Sequence, residues 1–259
     1  MTPEWREAIL FLLSILHLLP HRSIRLRDRA VGSAPSPVLL WTDAMWEDGG
    51  GGRGARGGVG GVAWIPADHP LGGGSGRFLF FAQQLSGADL LRYSFTRDHS
   101  MIGPLEAIAA AGAYTSMPDV FAGRDVLHFI DNTNALYGLA KGYSAAPDMV
   151  RVIRSFHIGN IIGQANVWFN YVASKANVAD LPSRDALHEM ADILRAHEPG
   201  FDLGAAQRMF VWPDLPSGPD VDAVWAATAA QMAPPEQGRR RRGGRRGQRG
   251  APSSASSSS

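Results

Sequence analysis

Four acidic residues are placed where a fold could bring their carboxylates together. Asp43 and Asp131 each follow an apolar, strand-like run, and Asp180 follows a third such run near the start of a helix. Glu106 lies near the beginning of another predicted helix. Four converging carboxylates repel one another, which is costly unless cations balance their charge. This pattern predicts a site in which four carboxylates bind two divalent ions.

The residue inventory limits which ions such a site could hold. The chain contains no cysteine, so disulfides and cysteine-ligated zinc are excluded. Carboxylate oxygens suit a hard ion such as Mg²⁺. A single Asp at a strand end is more often a cap or turn residue than a ligand, and helix capping competes for Asp180 in particular. His128, inside an apolar run, is interpreted as a core residue, and three acids in turn or helix-start positions are left out of the site: Asp125, Asp148 and Asp185.

The elements that would position these acids follow the order βββαβααβα. Apolar and β-branched runs predict strands at residues 38–42, 62–65, 77–82, 126–130 and 167–172. Helices are predicted at residues 102–114, 133–141, 148–162 and 184–196. We expect an α/β fold with a five-stranded mixed sheet and helices on both faces. The first three strands should be antiparallel, and strand one should lie beside strand four, parallel to it.

A glycine-dominated stretch separates the first two predicted strands. Residues 52–57 formally match the GxGxxG dinucleotide pattern, but a strand-like run follows at residues 62–65 where that motif requires a helix. We therefore interpret residues 49–61 as a long flexible hairpin loop.

The chain outside this region differs in composition. Residues 1–36 predict an N-terminal helix and a basic connector; the apolar run at residues 9–19 is too short to span a bilayer, and a signal peptide is disfavoured. The main domain is predicted at residues 37–198, followed by an irregular extension at 199–232 and a disordered tail at 233–259. Residues 236–250 hold seven of the 25 basic residues and one of the 24 acids, which leaves 18 bases and 23 acids in residues 1–235. The body is mildly acidic and the tail strongly basic.

Four segments of the sequence resemble the ribonuclease H family, in particular the version attached to retroelement reverse transcriptases. They are Thr42-Asp43-Ala44, Leu105-Glu106-Ala107, residues 130–135 (IDNTNA) and residues 171–184 (YVASKANVADLPSR). The resemblance covers about residues 37–194. It implies hydrolysis of the RNA strand of an RNA–DNA hybrid, with Asp43, Glu106, Asp131 and Asp180 as catalytic ligands of two Mg²⁺ (or Mn²⁺) ions. Ser174 and Lys175 stand where many cellular members carry a histidine.

A nucleic-acid partner is expected both from the resemblance and from the tail. Flexible arginine-glycine segments bind nucleic acid by neutralising phosphates, although a targeting or solubilising role is an open alternative. Asn177 and Ser183 are expected to hydrogen-bond the backbone around the last loop. The candidate nucleic-acid-binding residues are Asn132, Lys175, Arg184, Arg239, Arg240, Arg241, Arg242, Arg245, Arg246 and Arg249.

The leading hypothesis is a metal-dependent nuclease, a fragment of or derived from a retroelement polyprotein. No polymerase signature is visible upstream of Asp43. One alternative is a catalytically inactive ribonuclease H-like module that binds nucleic acid or serves a structural role. Another is binding through the tail alone, with an unrelated body. We expect no membrane partner, no organic cofactor and an intracellular location, cytoplasmic or nuclear.

Overall fold

A five-stranded mixed sheet forms the centre of the protein. The computed structural model describes residues 35–48, 56–86, 89 and 101–214. The strands are β1 (Val38–Glu47), β2 (Arg56–Ile65), β3 (Arg77–Leu85), β4 (Asp125–Ile130) and β5 (Asn166–Tyr171). They lie in the order β3-β2-β1-β4-β5. The first three strands are antiparallel, whereas β4 runs parallel to both β1 and β5, so the predicted topology is confirmed.

The helices of the described residues follow the predicted order, with several short additions. They are α1 (Ile102–Ser116), α2 (Pro118–Phe121), α3 (Thr133–Lys141), α4 (Pro147–Gly163), α5 (Asp180–Ser183), α6 (Leu187–Arg195) and α7 (Leu203–Ala206), with a 3₁₀ turn at Ser174–Ala176. The start of α3 is set by the Asn132 side chain, which accepts hydrogen bonds from two backbone N–H groups, and its end by Gly142 in the left-handed conformation. Among these helices, none combines the length and apolarity that crossing a bilayer requires.

Helices cover both faces of the sheet. On one face, Tyr114 of α1 contacts Phe156 of α4 edge-on, with ring centroids 5.2 Å apart, and Tyr114 also contacts His128 of β4. On the other face, α5 packs against β1 and β2, and Phe80 of β3 contacts Phe201 near the C-terminal helices. This is the fold class that the resemblance to ribonuclease H implies.

The glycine-rich stretch was wrongly predicted to be loop up to residue 61. It lies in β2 from Arg56 onward, pairing with β1 and β3 along its whole length. The structural reason for these glycines is the close approach of α5 to β2. A Cβ atom at Gly58 or Gly60 would overlap the backbone of Ser183, so only glycine lets α5 lie directly on the strand. The tight packing of α5 on β2 requires glycine, and glycine gives this segment its weak strand propensity.

Two further boundaries differ from the sequence prediction. β1 continues to Glu47, so Asp43 lies inside the strand and does not end it. The helix predicted at residues 184–196 corresponds to α6, which begins only at Leu187; a separate short helix, α5, precedes it, and Asp185 with a φ of 63° lies between the two. A residue in the left-handed region interrupts the helical path, and it lets α5 turn toward the sheet.

The hydrophobic core extends beyond residue 198. Phe201, Ala206 and Phe210 are buried, and Phe210 contacts Phe81 of β3 with ring centroids 5.2 Å apart. Part of the extension predicted to be irregular therefore packs on the main domain. The helix predicted near the N terminus and the tail predicted at residues 233–259 lie outside the described residues.

Replacing Gly60 with Ala should destabilise the protein by about 1–3 kcal/mol, because the added methyl group overpacks the contact between β2 and α5. Gly159→Ala is the matched control: Gly159 is an exposed helical glycine with nothing near its Cβ position, and alanine there should stabilise by about 0.5–1 kcal/mol. Urea denaturation of both variants measures the difference. Equal effects of the two substitutions would contradict the close approach.

Candidate metal centre

Three of the four predicted carboxylates meet at one end of the sheet. Asp43 projects from the middle of β1, Glu106 from the first half of α1, and Asp131 follows β4 directly. One carboxylate oxygen from each lies within 4.8 Å of the others. The meeting results from the topology, because β1 and β4 are parallel neighbours and α1 packs across β1. Asp125, Asp148 and Asp185, which the sequence analysis left out, are not in this group.

The fourth carboxylate, Asp180, lies beside this group without belonging to it. It begins α5, and its Oδ1 accepts a hydrogen bond from Arg184 Nε at 2.7 Å, in an ion pair with about half of the Arg184 side chain exposed. Its negative charge nevertheless contributes to raising the pKa of Asp43 and of Glu106. Asp180 is therefore close enough to act electrostatically on the cluster, while Arg184 balances its own charge.

Asp43 is held in an unfavourable environment for a charged group. Burial raises the pKa of its carboxyl from 3.8 to about 7, and the charges of Asp131 and Asp180 act in the same direction. A hydrogen bond from Ser183 and the charge of Arg184 oppose this shift without cancelling it.

Glu106 is buried more deeply. Its pKa is raised well above the ordinary value, first by burial and then by the charges of Asp43 and Asp131. Within the described part of the chain, its Oε2 atom is buried and has no hydrogen-bond partner. A buried acceptor without a partner is costly, and a cation is the kind of ligand that would satisfy it. The all-oxygen donor set and this orphaned atom both fit a hard divalent ion.

Asn177 and Ser183 contribute to the site in a way that the sequence analysis missed. As expected, both contact the backbone: Asn177 Nδ2 donates to the Thr42 carbonyl at 3.1 Å, and Ser183 Oγ lies 2.9 Å from the Asp180 carbonyl. In addition, Ser183 Oγ donates to Asp43 Oδ2 at 2.6 Å, and Asn177 Nδ2 lies 3.4 Å from Asp43 Oδ1. The residues are 134 and 140 positions from Asp43, and no local sequence pattern indicates such contacts.

His128 is a core residue, as predicted. It is fully buried, its Nε2 lies 2.8 Å from Thr42 Oγ1, and its Nδ1 lies 3.3 Å from the Tyr114 hydroxyl. Burial lowers its pKa to about 3, so the ring is neutral at neutral pH. Since Thr42 and Asp43 are adjacent in a strand, their side chains point to opposite faces, so His128, which contacts Thr42, and the Asp43 carboxylate lie on opposite sides of β1.

The predicted nucleic-acid contacts have different surroundings. Asn132 caps α3 through its side-chain oxygen, Arg184 is paired with Asp180, and Lys175 is exposed in the 3₁₀ turn. The seven tail arginines, at residues 239–249, lie outside the described residues. A role of these residues in binding nucleic acid remains a prediction.

Solved structures similar to this chain carry the name ribonuclease H1 or ribonuclease H domain. The RNase H1 of the halophilic archaeon Halobacterium salinarum is 17% identical, with 60% of this chain and 99% of that chain covered and a TM-score of 0.41. The N-terminal RNase H domain of a Mycobacterium tuberculosis protein is 15% identical, with coverages of 61% and 99% and a TM-score of 0.39. LC11-RNase H1, isolated from compost, is 14% identical, with coverages of 60% and 98% and a TM-score of 0.38.

No protein-family model matches the sequence, and no curated protein matches it. The strand order β3-β2-β1-β4-β5 and its pairing define the fold of this chain.

The raised pKa of Asp43 predicts that the metal-free protein loses stability as the pH rises from about 4 to about 7. The unfolded chain releases this proton near pH 3.8, whereas the folded protein keeps it until about pH 7, so the folded state binds more protons in that window. The loss amounts to about 1.4 kcal/mol per pH unit for one proton. Glu106, whose pKa is also raised, adds to the same trend.

Urea denaturation across this window, in the presence of a chelator, measures the slope. Asp43→Asn should flatten it, because asparagine has no proton to release. A slope unchanged by the substitution would show that Asp43 titrates normally in the folded protein.

Proposed function

We propose that the protein is a metal-dependent endonuclease of the ribonuclease H type that hydrolyses the RNA strand of RNA–DNA hybrids. The observation that carries this proposal is the convergence of Asp43, Glu106 and Asp131 within 4.8 Å, two of them buried. The sequence segments that resemble the ribonuclease H family contain these three residues and Asp180. Burying carboxylates together has a large cost, which a structural role alone does not explain.

The proposed cofactor is a pair of Mg²⁺ (or Mn²⁺) ions. Asp43, Glu106 and Asp131 would hold them, with Asp180 as the fourth ligand once its carboxylate is shared with or released from Arg184. In such sites the ions supply a nucleophilic water at neutral pH and stabilise the charge of the leaving oxygen. The fit rests on the all-oxygen donor set and on the unpartnered Oε2 of Glu106.

The protein's own residues supply position and charge. The carboxylates of Asp43 and Glu106 are anchored on the sheet and on α1, two elements packed tightly against each other, so the ligands are held rigidly. Arg184, half-exposed beside Asp180, is placed to contact a phosphate of a bound strand. Asn132 and Lys175 are the further candidate contacts in the body of the protein. His128 is given no role in proton transfer at this site, because both of its ring nitrogens contact core side chains, those of Thr42 and Tyr114.

We further propose that the protein is derived from a retroelement reverse transcriptase. It is supported by the segment from Tyr171 to Arg184, with Ser174 and Lys175 in place of the histidine found in many cellular members. A cytoplasmic or nuclear location and a nucleic-acid partner belong to the same proposal.

Replacing Asp131 with Asn should abolish hydrolysis of a labelled RNA–DNA hybrid while leaving the metal-free protein at least as stable as the parent. The substitution keeps the size and removes one charge needed for metal binding. It also removes a charge that raises the pKa of both Asp43 and Glu106, so repulsion within the cluster is reduced. Cleavage assays and thermal denaturation with and without Mg²⁺ measure the two effects.

The matched control is Asp185→Asn. Asp185 is exposed and has a φ of 63°, a conformation that asparagine adopts readily, so activity and stability should both be kept. Parental cleavage by Asp131→Asn would remove Asp131 from the site and with it the proposed mechanism. A parent protein that binds the hybrid but never cleaves it would favour the catalytically inactive module.

Deleting residues 238–259 should weaken binding to a hybrid, most clearly at low salt, because the deleted segment holds the seven clustered arginines. The rate of cleavage at saturating substrate should be unaffected, since the carboxylates are elsewhere. Affinity measured over a series of salt concentrations tests both parts. An affinity and a salt slope equal to those of the full chain would refute a binding role for the tail.

A further inference from the structure

The short helix α5 connects the proposed metal centre with the glycine-rich strand. We propose that Ser183, at the end of α5, is a positioning residue that fixes the orientation of the Asp43 carboxylate for metal binding. This inference rests on the proposed function, because it assigns Asp43 as a ligand. It adds a residue that the ribonuclease H resemblance does not assign to the site.

The contact between the two side chains is short and fully enclosed. Ser183 Oγ donates to Asp43 Oδ2 at 2.6 Å, at the short end of the range for hydrogen bonds between two oxygen atoms. Ser183 has no exposed surface and Asp43 is buried, so water does not replace this donor. Asn177 Nδ2 lies 3.4 Å from the other oxygen, Oδ1. Both oxygens of Asp43 therefore have a neighbouring donor, and rotation of the carboxylate is restricted.

The position of Ser183 is itself set by the sheet. Its backbone lies against Gly58 and Gly60, where any larger residue would push α5 away. Its carbonyl oxygen accepts a hydrogen bond from Gln84 Nε2 of β3 at 3.1 Å, and its N–H donates to the Ala179 carbonyl at 3.2 Å. The glycines of β2 thus allow α5, which lies across β1 and β2, to bring Ser183 to the Asp43 carboxylate.

A hydrogen bond to a metal ligand affects metal binding as well as folding. Partners of this kind orient the ligand, and their loss typically reduces metal affinity or activity by roughly 10–100-fold. A merely structural hydrogen bond would instead affect stability alone. Metal affinity therefore distinguishes the two roles of Ser183.

The experiment compares Ser183→Ala with the matched control Thr42→Val. Thr42 also has a fully buried hydroxyl, but its Oγ1 contacts His128 on the opposite face of β1. Calorimetric titration with Mn²⁺ should show an affinity lowered by about tenfold or more in Ser183→Ala. Thr42→Val should keep the parental affinity. Ser183→Ala with parental Mn²⁺ affinity would overturn the positioning role.

A second measurement needs no metal and no substrate. The carboxyl ¹³C chemical shift of Asp43, recorded by NMR in the metal-free protein, should change in Ser183→Ala and stay in place in Thr42→Val. A parent that fails to bind Mn²⁺ would contradict the proposed function, whereas an Asp43 shift that is the same in Ser183→Ala as in the parent would contradict the positioning role. The two failures are thereby distinguished.

A milder variant covers the case in which Ser183→Ala does not fold. Gln84→Ala leaves the serine hydroxyl in place and removes only the exposed side chain that binds the Ser183 carbonyl. It should lower Mn²⁺ affinity in the same direction by a smaller factor and move the Asp43 shift. Parental Mn²⁺ affinity together with an unchanged Asp43 chemical shift in Gln84→Ala would contradict a role of α5 in positioning Ser183.

Discussion

The burial of two carboxyl groups beside further acidic side chains is the constraint around which this structure is organised. Asp43 and Glu106 are placed where burial opposes their ionisation, and Asp131 and Asp180 add negative charge nearby. Without a compensating cation, burial favours the protonated form of both groups, raising the pKa of Asp43 to about 7 and that of Glu106 well above its ordinary value, so stability falls as the pH rises. The arrangement is therefore poorly suited to a protein that only needs to fold, and it is well suited to one that binds cations.

The surrounding fold keeps these groups together in spite of that cost. Parallel pairing of β1 with β4 places Asp131 beside Asp43, and the packing of α1 over β1 adds Glu106. On the face that carries Asp43, the glycines of β2 admit α5, which carries Asp180 and Ser183. On the opposite face, His128 contacts Thr42 and Tyr114 within the core. Both faces of the sheet thus contribute to the carboxylate group, since α1 carries Glu106 and α5 contacts Asp43.

Much of this organisation could be predicted from the sequence. Apolar runs predict the strands, and the acids that follow these runs constrain which strands lie side by side. The strand order, the placement of His128 in the core and the meeting of Asp43, Glu106 and Asp131 follow from such local signals. The glycine strand could not be predicted, since residues 57–61 have low strand propensity and their pairing depends on α5, far away in the chain. The contact of Ser183 with Asp43 and the pairing of Asp180 with Arg184 likewise depend on tertiary placement and side-chain geometry, which residue types alone do not specify.

The most direct test of the account is the number of protons released when the metal-free protein binds Mg²⁺ at neutral pH. Carboxylates must be deprotonated to bind a cation, and the raised pKa values of Asp43 and Glu106 mean that these groups still hold protons before binding. Calorimetric titrations in buffers with different ionisation enthalpies measure that number. The account predicts saturable binding accompanied by the release of protons. Absence of saturable binding, or binding without proton release, would contradict it.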